Sequence, residues 1–172
     1  GMKEPLRYRN KAQFPVRAGR PLEKDGRDIA CGTPYIGFYA RSSHELTDID
    51  DCLLQNRVAV TLAEVLKQFM REMYITAWDE KRKQGLLRHL IVKTAESTGE
   101  VMVILVINGK EIPHVQKLVE MLDDAAYEAG ANYANMGTWS VPMEEPAYGL
   151  GIENSYTEPM TKYNFDRHEQ WK

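Results

Sequence analysis

The sequence predicts an α+β domain in which a mainly antiparallel β-sheet carries two amphipathic helices packed on it. Residues 85–107 (GLLRHLIVKTAESTGEVMVILVI) hold two β-rich runs around a polar, glycine-containing turn, which is typical of a β-hairpin. Two other stretches place apolar residues at the three-and-four spacing of a helix. The order β-β-β-α-β-β-α-β, with short links between successive strands, favours antiparallel pairing with both helices on one face.

The unbroken apolar run at residues 101–107 predicts the central strand of the sheet. A strand that is apolar on both sides has both faces covered. Seven residues is short for a buried helix, and Asn108-Gly109 ends the run sharply.

Shorter strands precede the hairpin. Residues 8–17 alternate weakly and predict a first strand, with Pro15 at a sheet edge or near the end of the strand. Residues 35–40 (YIGFYA) predict an aromatic strand in which Gly37 marks a bulge or a close approach of the backbone. Residues 45–49 predict a third strand.

The remaining segments are more irregular. Residues 18–34 are rich in glycine, proline and charge, and predict a long excursion between the first two strands. Residues 133–141 predict a last strand, and residues 142–172 predict a loop or tail.

Both helices have a buried stripe and recognisable ends. Asp50 or Asp51 is predicted to cap a helix that runs to about Tyr74. Pro113 is predicted to open the second helix, and Gly130 to stop it. The first stripe comprises Leu54, Val58, Leu62, Val65, Leu66, Phe69, Met70 and Met73, and leaves Arg57, Glu64, Lys67 and Arg71 for the wet side. The second stripe comprises Val115, Leu118, Val119, Leu122 and Ala126.

The composition is that of an ordinary globular protein. Its 172 residues fit one domain, or one domain with an appendage, and 43% of them are hydrophobic. No apolar run approaches the roughly 20 residues that cross a bilayer, and the N-terminus has no apolar signal-peptide core. Two cysteines, Cys31 and Cys52, do not make a disulfide framework, so we expect a cytoplasmic protein without membrane contact.

Charge is distributed unevenly along the chain. Residues 1–27 hold eight basic and three acidic residues, a local charge of +5, which leaves −8 for the rest of a chain whose net charge is −3. A basic arm on an acidic body is suited to phosphate contacts. The alternative is a solvated terminus without a partner.

Two motifs are candidates for chemistry. Arg88 and His89 are neighbours on a mostly apolar strand, so they face opposite sides, and both are core only if they are paired. A structural histidine with a surface arginine is the alternative to a binding role. Cys52 follows an acidic run and has His44 eight residues before it, but one cysteine and one histidine do not complete a tetrahedral metal site. A buried or half-buried thiol is therefore favoured.

Five segments, taken in order, resemble one protein family. They are YRNKAQFPVR (8–17), GFYARSSHEL (37–46), DIDDCLLQ (48–55), GLLRHLIVKTAESTGEVMVILV (85–106) and ING (107–109). They resemble the central domain of the SAM-dependent RNA (uracil-5-)-methyltransferases, which act on rRNA and tRNA. The resemblance fades from residue 131. It therefore predicts a central RNA-contacting domain at residues 1–130, and a last strand with an irregular tail at residues 131–172.

The resemblance implies that methyl transfer belongs to another part of the family protein. There a domain that follows the central one binds SAM and supplies a cysteine that attacks C6 of the flipped target uracil, whose C5 takes the methyl group. No such unit is visible in this sequence, so we expect no cofactor here and interpret the chain as a fragment, or as a paralogue without the catalytic half.

The resemblance also bears on iron. Many family members hold a [4Fe–4S] cluster through three cysteines shortly before the YRNK segment and a fourth at the position of Cys52. Those three are missing here, so Cys52 is a metal ligand only if a longer parent chain supplies them.

Recognition of folded RNA, either 23S rRNA or tRNA, is therefore the expected function, without catalytic residues in this chain. The residues expected to contact RNA are Arg9, Lys11, Arg41, His44 and Arg88. Arginine and lysine neutralise phosphates, and arginine also stacks on splayed bases.

Two other functions stay open. A non-enzymatic domain that binds protein fits the acidic body and the Tyr/Trp-bearing tail. An independent thiol or metal enzyme would use Cys52 and His44. Salt-sensitive RNA binding would favour the first hypothesis over the protein-binding domain, and a buried, unreactive Cys52 would exclude the enzyme.

Overall fold

One six-stranded sheet with two helices organises the chain. The computed structural model describes residues 5–19, 33–41, 43 and 45–140, with the backbone alone at residues 139 and 140. The elements are β1 (Lys11–Ala18), β2 (Pro34–Tyr39), β3 (Leu46–Asp48), α1 (Arg57–Glu72), β4 (Leu87–Ala95), β5 (Glu100–Ile107), α2 (Val115–Glu128) and β6 (Tyr133–Ser140). The strand order is β3-β2-β1-β4-β5-β6. The α+β fold class is confirmed.

The ladders between described strands are antiparallel, with the exception of β5 and β6. Parallel neighbours need a crossover connection, and α2 provides it. The predicted strand at residues 133–141 is thereby confirmed as β6. The helix before it follows Pro113 and ends at Glu128, just before Gly130, whose φ of +100° suits a helix stop.

The core lies between the sheet and both helices. Alternate residues of β1, namely Ala12, Phe14 and Val16, pack with the buried stripes of α1 and α2. Phe14 is fully buried and meets the Phe38 ring edge-on, with 5.3 Å between ring centroids. Both helices therefore cover the same face of the sheet.

The apolar strand at residues 101–107 is interior but not central. As β5 it lies between β4 and β6, one strand from the end of the described sheet. Its odd-numbered residues are in the core, whereas Met102 on the other face is 43% exposed. The prediction that both faces are covered along the whole strand was wrong, although Val106 is buried.

The first helix begins six residues later than Asp51, so the predicted start was wrong. Asn56 is the N-cap, and its Oδ1 accepts a hydrogen bond from the Val58 N–H at 2.9 Å. The preceding segment instead contacts the residues before β1: the Leu53 and Leu54 carbonyls accept from the backbone N–H groups of Arg7 and Arg9 at 2.6 and 3.1 Å. These contacts hold Leu54 outside the core, at 43% exposure.

Lys67 was predicted to lie on the wet side of α1 and is instead buried, with 4% of its side chain exposed. Its ammonium donates to Asp48 at 3.0 Å and to the Ile49 carbonyl at 2.7 Å. The Glu64 carboxylate lies 3.3 Å away. A buried lysine is tolerated only when its charge is paired in this way.

Gly37 marks a close backbone approach, as expected. A Cβ at this position would lie 1.9 Å from the Thr47 carbonyl oxygen on β3. We therefore expect Gly37→Ala to force β2 and β3 apart and to lower the free energy of unfolding by at least about 1 kcal/mol. Chemical denaturation measures the change, and Gly130→Ala, whose Cβ would meet nothing within 4 Å, separates backbone strain from crowding.

Candidate nucleic-acid interface

The sheet face opposite the helices carries polar side chains, because residues alternate between the two faces of a strand. On β1, Lys11, Gln13 and Arg17 alternate with the core residues. On β4, Lys93 pairs with Lys11, and His89 pairs with Pro15. We call this surface the second face.

Arg17 is the best-connected cation on the second face. Its guanidinium donates to Glu80 at 2.8 Å, to the Tyr39 hydroxyl, and to the backbone carbonyls of Val16 and Arg88 at 2.9 and 3.1 Å. Only 13% of its side chain is exposed. Burial raises the pKa of Tyr39, and the neighbouring Arg17 partly opposes that rise.

Arg88 lies at an irregularity in the ladder between β4 and β5, where the register shifts between Leu87 and His89. Its guanidinium stacks over the Trp78 ring, 4.5 Å from the ring centroid. The buried Nε of Arg88 has no hydrogen-bond partner. Burial is the main cause that lowers the pKa of Arg88, and the nearby Arg17 lowers it further.

His89 is neutral near pH 7. Burial, followed by the charges of Arg17 and Arg88, lowers its pKa from 6.5 to about 4. Its Nδ1 is buried without a hydrogen-bond partner. The shifted register brings Arg88 and His89 into one neighbourhood, so the expectation that they face opposite sides of the sheet does not describe this pair.

A second cationic feature projects from the loop between α1 and β4. Asp79 and Gln84 exchange two backbone hydrogen bonds of 2.7 and 3.3 Å. Between them stand Lys81, Arg82 and Lys83, all exposed. We call residues 79–84 the basic loop. Its base is attached to the sheet, since the Trp78 N–H donates to the Leu87 carbonyl at 2.8 Å and Glu80 binds Arg17.

The predicted RNA-contacting residues do not form one cluster. Arg9 is exposed in an isolated bridge to Gln55, and Arg41 is exposed in the turn after β2. Lys11 and Arg88 both belong to the second face but lie toward opposite ends of the β1–β4 ladder. His44, like Cys31, lies outside the described residues.

Cys52 is half-buried and lies in the loop before α1, which is hydrogen-bonded to the Arg7 side chain. Arg7 binds both oxygens of Asp51, at 2.9 and 2.8 Å, and donates to the Cys52 carbonyl at 3.3 Å. The Arg7 guanidinium is the main cause that lowers the pKa of Asp51. In the part of the chain that the structure describes, no three His, Cys, Asp or Glu side chains are grouped to hold a metal. The described residues therefore do not by themselves fit an iron–sulfur cluster.

Arg17, Trp78 and Glu80 were not identified from the sequence, although Arg17 lies on the second face and binds Glu80, and Trp78 stacks on Arg88. Alternation along β1 from Lys11 carries the signal for Arg17. No local pattern pairs Trp78 and Glu80 with the sheet. Arg17 and Glu80 are 63 positions apart, and the stacking of Arg88 on Trp78 depends on how the loop before β4 folds back. Among the described residues, neither helix is long and apolar enough to cross a membrane.

No family model matches the chain. An uncharacterized RNA methyltransferase from Halalkalibacterium halodurans is 39% identical over 125 residues, which make up 73% of this chain and 25% of that protein. Another from Caldanaerobacter subterraneus subsp. tengcongensis is 40% identical over 124 residues, or 72% and 25% of the two chains. This chain thus spans about a quarter of the length of these relatives.

A solved structure agrees with these relatives. The crystal structure of Pyrococcus abyssi tRNA (uracil-54, C5)-methyltransferase in complex with S-adenosyl-L-homocysteine is similar, with a TM-score of 0.51 and 26% identity. The match covers 67% of this chain and 25% of that one. The fold and these matches define a domain of the RNA methyltransferases. Within that class, the similarity to a tRNA (uracil-54, C5)-methyltransferase is consistent with a domain of the RNA (uracil-5-)-methyltransferase family.

Proposed function

We propose that this chain is the RNA-recognition domain of an RNA (uracil-5-)-methyltransferase. It binds folded rRNA or tRNA in the cytoplasm and supports the flipped target base. In this proposal, methyl transfer from SAM belongs to the part of the family protein outside the quarter that this chain matches. The relatives are named RNA methyltransferases, and the solved neighbour was crystallised with S-adenosyl-L-homocysteine.

One observation on the second face carries the proposal. Lys11 and Lys93 are direct cross-strand partners, and both are exposed. Like charges opposite each other destabilise a sheet. No carboxylate among the described residues forms an ion pair with either one. A phosphate bound between the two ammonium groups relieves this repulsion. Neutralisation of phosphates by such cations supplies much of the affinity of proteins for RNA.

The other predicted residues extend the surface. Arg9 and Arg41 are exposed and free to reach phosphates, and His44 belongs to the same matched segment as Arg41. Arg88 presents a stacked guanidinium plane beside Trp78, an arrangement that suits a splayed base. Cys52 would serve as a fourth cluster ligand only in a longer parent chain with three further cysteines.

Replacing both lysines tests the proposal. We expect Lys11→Ala combined with Lys93→Ala to weaken binding of an unmodified tRNA transcript about tenfold near 100 mM salt, because two phosphate contacts are lost. The slope of log K against log salt should become shallower by about 1.5. Fluorescence anisotropy measures both quantities.

The matched control changes the same net charge on the helix side of the sheet. Arg71→Ala combined with Lys117→Ala removes two exposed cations from α1 and α2. This variant should bind RNA within about twofold of the wild type, because both residues lie on the helices and not on the second face. It should also stay folded, since surface ion pairs contribute little to stability. Equal losses in the two double variants would mean that net charge, and not the second face, determines binding.

A second candidate function, docking onto another protein, is favoured by a separate observation. Leu6, Tyr8, Leu53 and Leu54 are between 43% and 56% exposed, and backbone hydrogen bonds hold their two segments side by side. Such a group of exposed apolar residues is typical of an interaction surface. Self-association or partner binding that is insensitive to salt, without RNA binding, would favour this function.

A further inference from the structure

The basic loop at residues 79–84 is closed by hydrogen bonds within the loop itself. Asp79 and Gln84 close it by two backbone hydrogen bonds. The Asp79 Oδ1 also accepts from the backbone N–H groups of Lys81 and Arg82, at 2.9 and 3.1 Å. Its three cationic side chains are therefore presented from a fixed backbone, which lowers the entropy lost when they bind.

The charge of the loop is poorly compensated. The nearest described carboxylate to the tip cations is Asp79, with its Oδ2 3.9 Å from the Arg82 Nε. Among the described ion pairs, none includes Lys81 or Lys83. The other acidic residue of the loop, Glu80, points its carboxylate to Arg17 at 2.8 Å. The six-residue loop thus presents three exposed positive charges to the solvent.

A concave surface lies beside the loop. It is lined by Thr76, Arg82, Lys83, Gln84, Gly85, Leu86 and Asn108. Two cations border it, and hydroxyl and amide groups line it. Gly85 has φ of +113°, and a Cβ there would lie 2.0 Å from the Ala77 carbonyl oxygen, so glycine is required for the chain to form this wall.

We propose that the basic loop and the adjoining concave surface form a second RNA-binding site, which takes a phosphodiester and its attached nucleotide from single-stranded or looped RNA. Arg82 and Lys83 neutralise the phosphate, and Lys81 contacts the neighbouring one. The exposed Gln84 side chain offers the paired donor and acceptor that base edges require, and the Asn108 amide, which donates to the Gly85 carbonyl at 3.2 Å, fixes the wall beside it. The positive charge suits an acidic peptide as well as RNA, and RNA is favoured because the site lies on the same domain as the Lys11–Lys93 pair, whose proposed ligand is RNA.

The loop also has a fixed position relative to the second face. Glu80 joins it to Arg17 on β1, and Trp78 at its base stacks under Arg88 on β4. An RNA strand that contacts both the second face and the loop would therefore be held at two points of a rigid surface. This inference rests on the proposed function, and it adds a site whose three cations lie outside the five segments that resemble the family.

The test compares two triple variants of the whole 172-residue chain. The loop variant is Lys81→Gln, Arg82→Gln and Lys83→Asn, with asparagine chosen because residue 83 has φ of +52° and asparagine tolerates that region. The control variant is Arg57→Gln, Arg71→Gln and Lys117→Gln, which removes three exposed charges from the helices. Thermal unfolding checks that both variants fold, and an unmodified tRNA transcript and an rRNA stem–loop are the probes.

We expect the loop variant to bind at least tenfold more weakly than the control, with a salt slope shallower by about 2. Chemical acetylation of lysines provides a second readout on the wild-type protein. Bound RNA should protect Lys81 and Lys83 from acetylation and should leave Lys117 reactive. If the wild type binds RNA but the loop variant matches the control and Lys81 and Lys83 stay reactive, the loop site is refuted while the proposed function stands. If the wild type binds neither RNA, both fail.

Discussion

Asp48→Asn is expected to lower the free energy of unfolding by about 3 kcal/mol, because it leaves the buried Lys67 ammonium without its main counter-ion. Lys67 has 4% of its side chain exposed and lies 2.9 Å from Asp48. The amide retains an acceptor for the Ile36 N–H, which Asp48 binds at 2.8 Å, so the charge is the chief change. Urea denaturation followed by circular dichroism measures the loss.

Two further variants locate the cause of this loss. Glu64→Gln should cost less than about 1 kcal/mol, since Glu64 is 56% exposed and leaves the Lys67–Asp48 pair intact. Adding Lys67→Met to Asp48→Asn should recover most of the stability, because a buried pair is often replaceable by apolar side chains of similar volume. A double variant as unstable as Asp48→Asn would show that the buried charge is not the cause.

Acidification from pH 7 to pH 4.5 is expected to cost about 2 kcal/mol through His89 alone. The folded-state pKa of His89 is lowered to about 4, so between pH 6.5 and 4 the unfolded chain binds a proton that the folded chain does not. The contribution of the neutral His89 to the free energy of unfolding is therefore fully present above about pH 6.5, and it is lost as the pH drops from 6.5 to 4. Arg17 and Arg88 repel the added charge, and Glu80 only partly offsets them.

The measurement is urea denaturation of the wild type and of His89→Gln at several pH values between 7 and 4.5. The glutamine variant should lose most of the dependence in that range. His114→Gln, a change at an exposed histidine before α2, should keep the wild-type profile. An unchanged profile in His89→Gln would contradict a neutral, buried imidazole at this position.

Much of the fold was predictable because it depends on local pattern. The helical spacing in α1 and α2, the turn at Gly99, and the alternation of β1 each specify an element and its buried side. The wrong start of α1 has a non-local cause: the carboxylates before the helix are good caps, but Asp51 is bound by Arg7, which is 44 positions away in the sequence. A helix signal cannot reveal that competition.

The candidate site was less predictable for a related reason. Arg88 was identified through its segment, whereas its contact with Trp78 depends on how the loop after α1 folds back on β4. The burial of Lys67 likewise depends on β3, because Asp48 lies 19 positions before it. Side-chain pairs of this kind join distant segments, and neither periodicity nor composition contains them. Roles in RNA binding stay predictions for all five residues: Arg9, Lys11, Arg41, His44 and Arg88.

The most direct test of the proposed RNA-recognition function is a titration of the 172-residue chain with an unmodified tRNA transcript and an rRNA stem–loop at 50 and 200 mM salt. We expect saturable binding that weakens at least about sevenfold over this range, which corresponds to two or more phosphate contacts. Binding to neither of the two RNAs, or an affinity that does not change with salt, would contradict the proposed function.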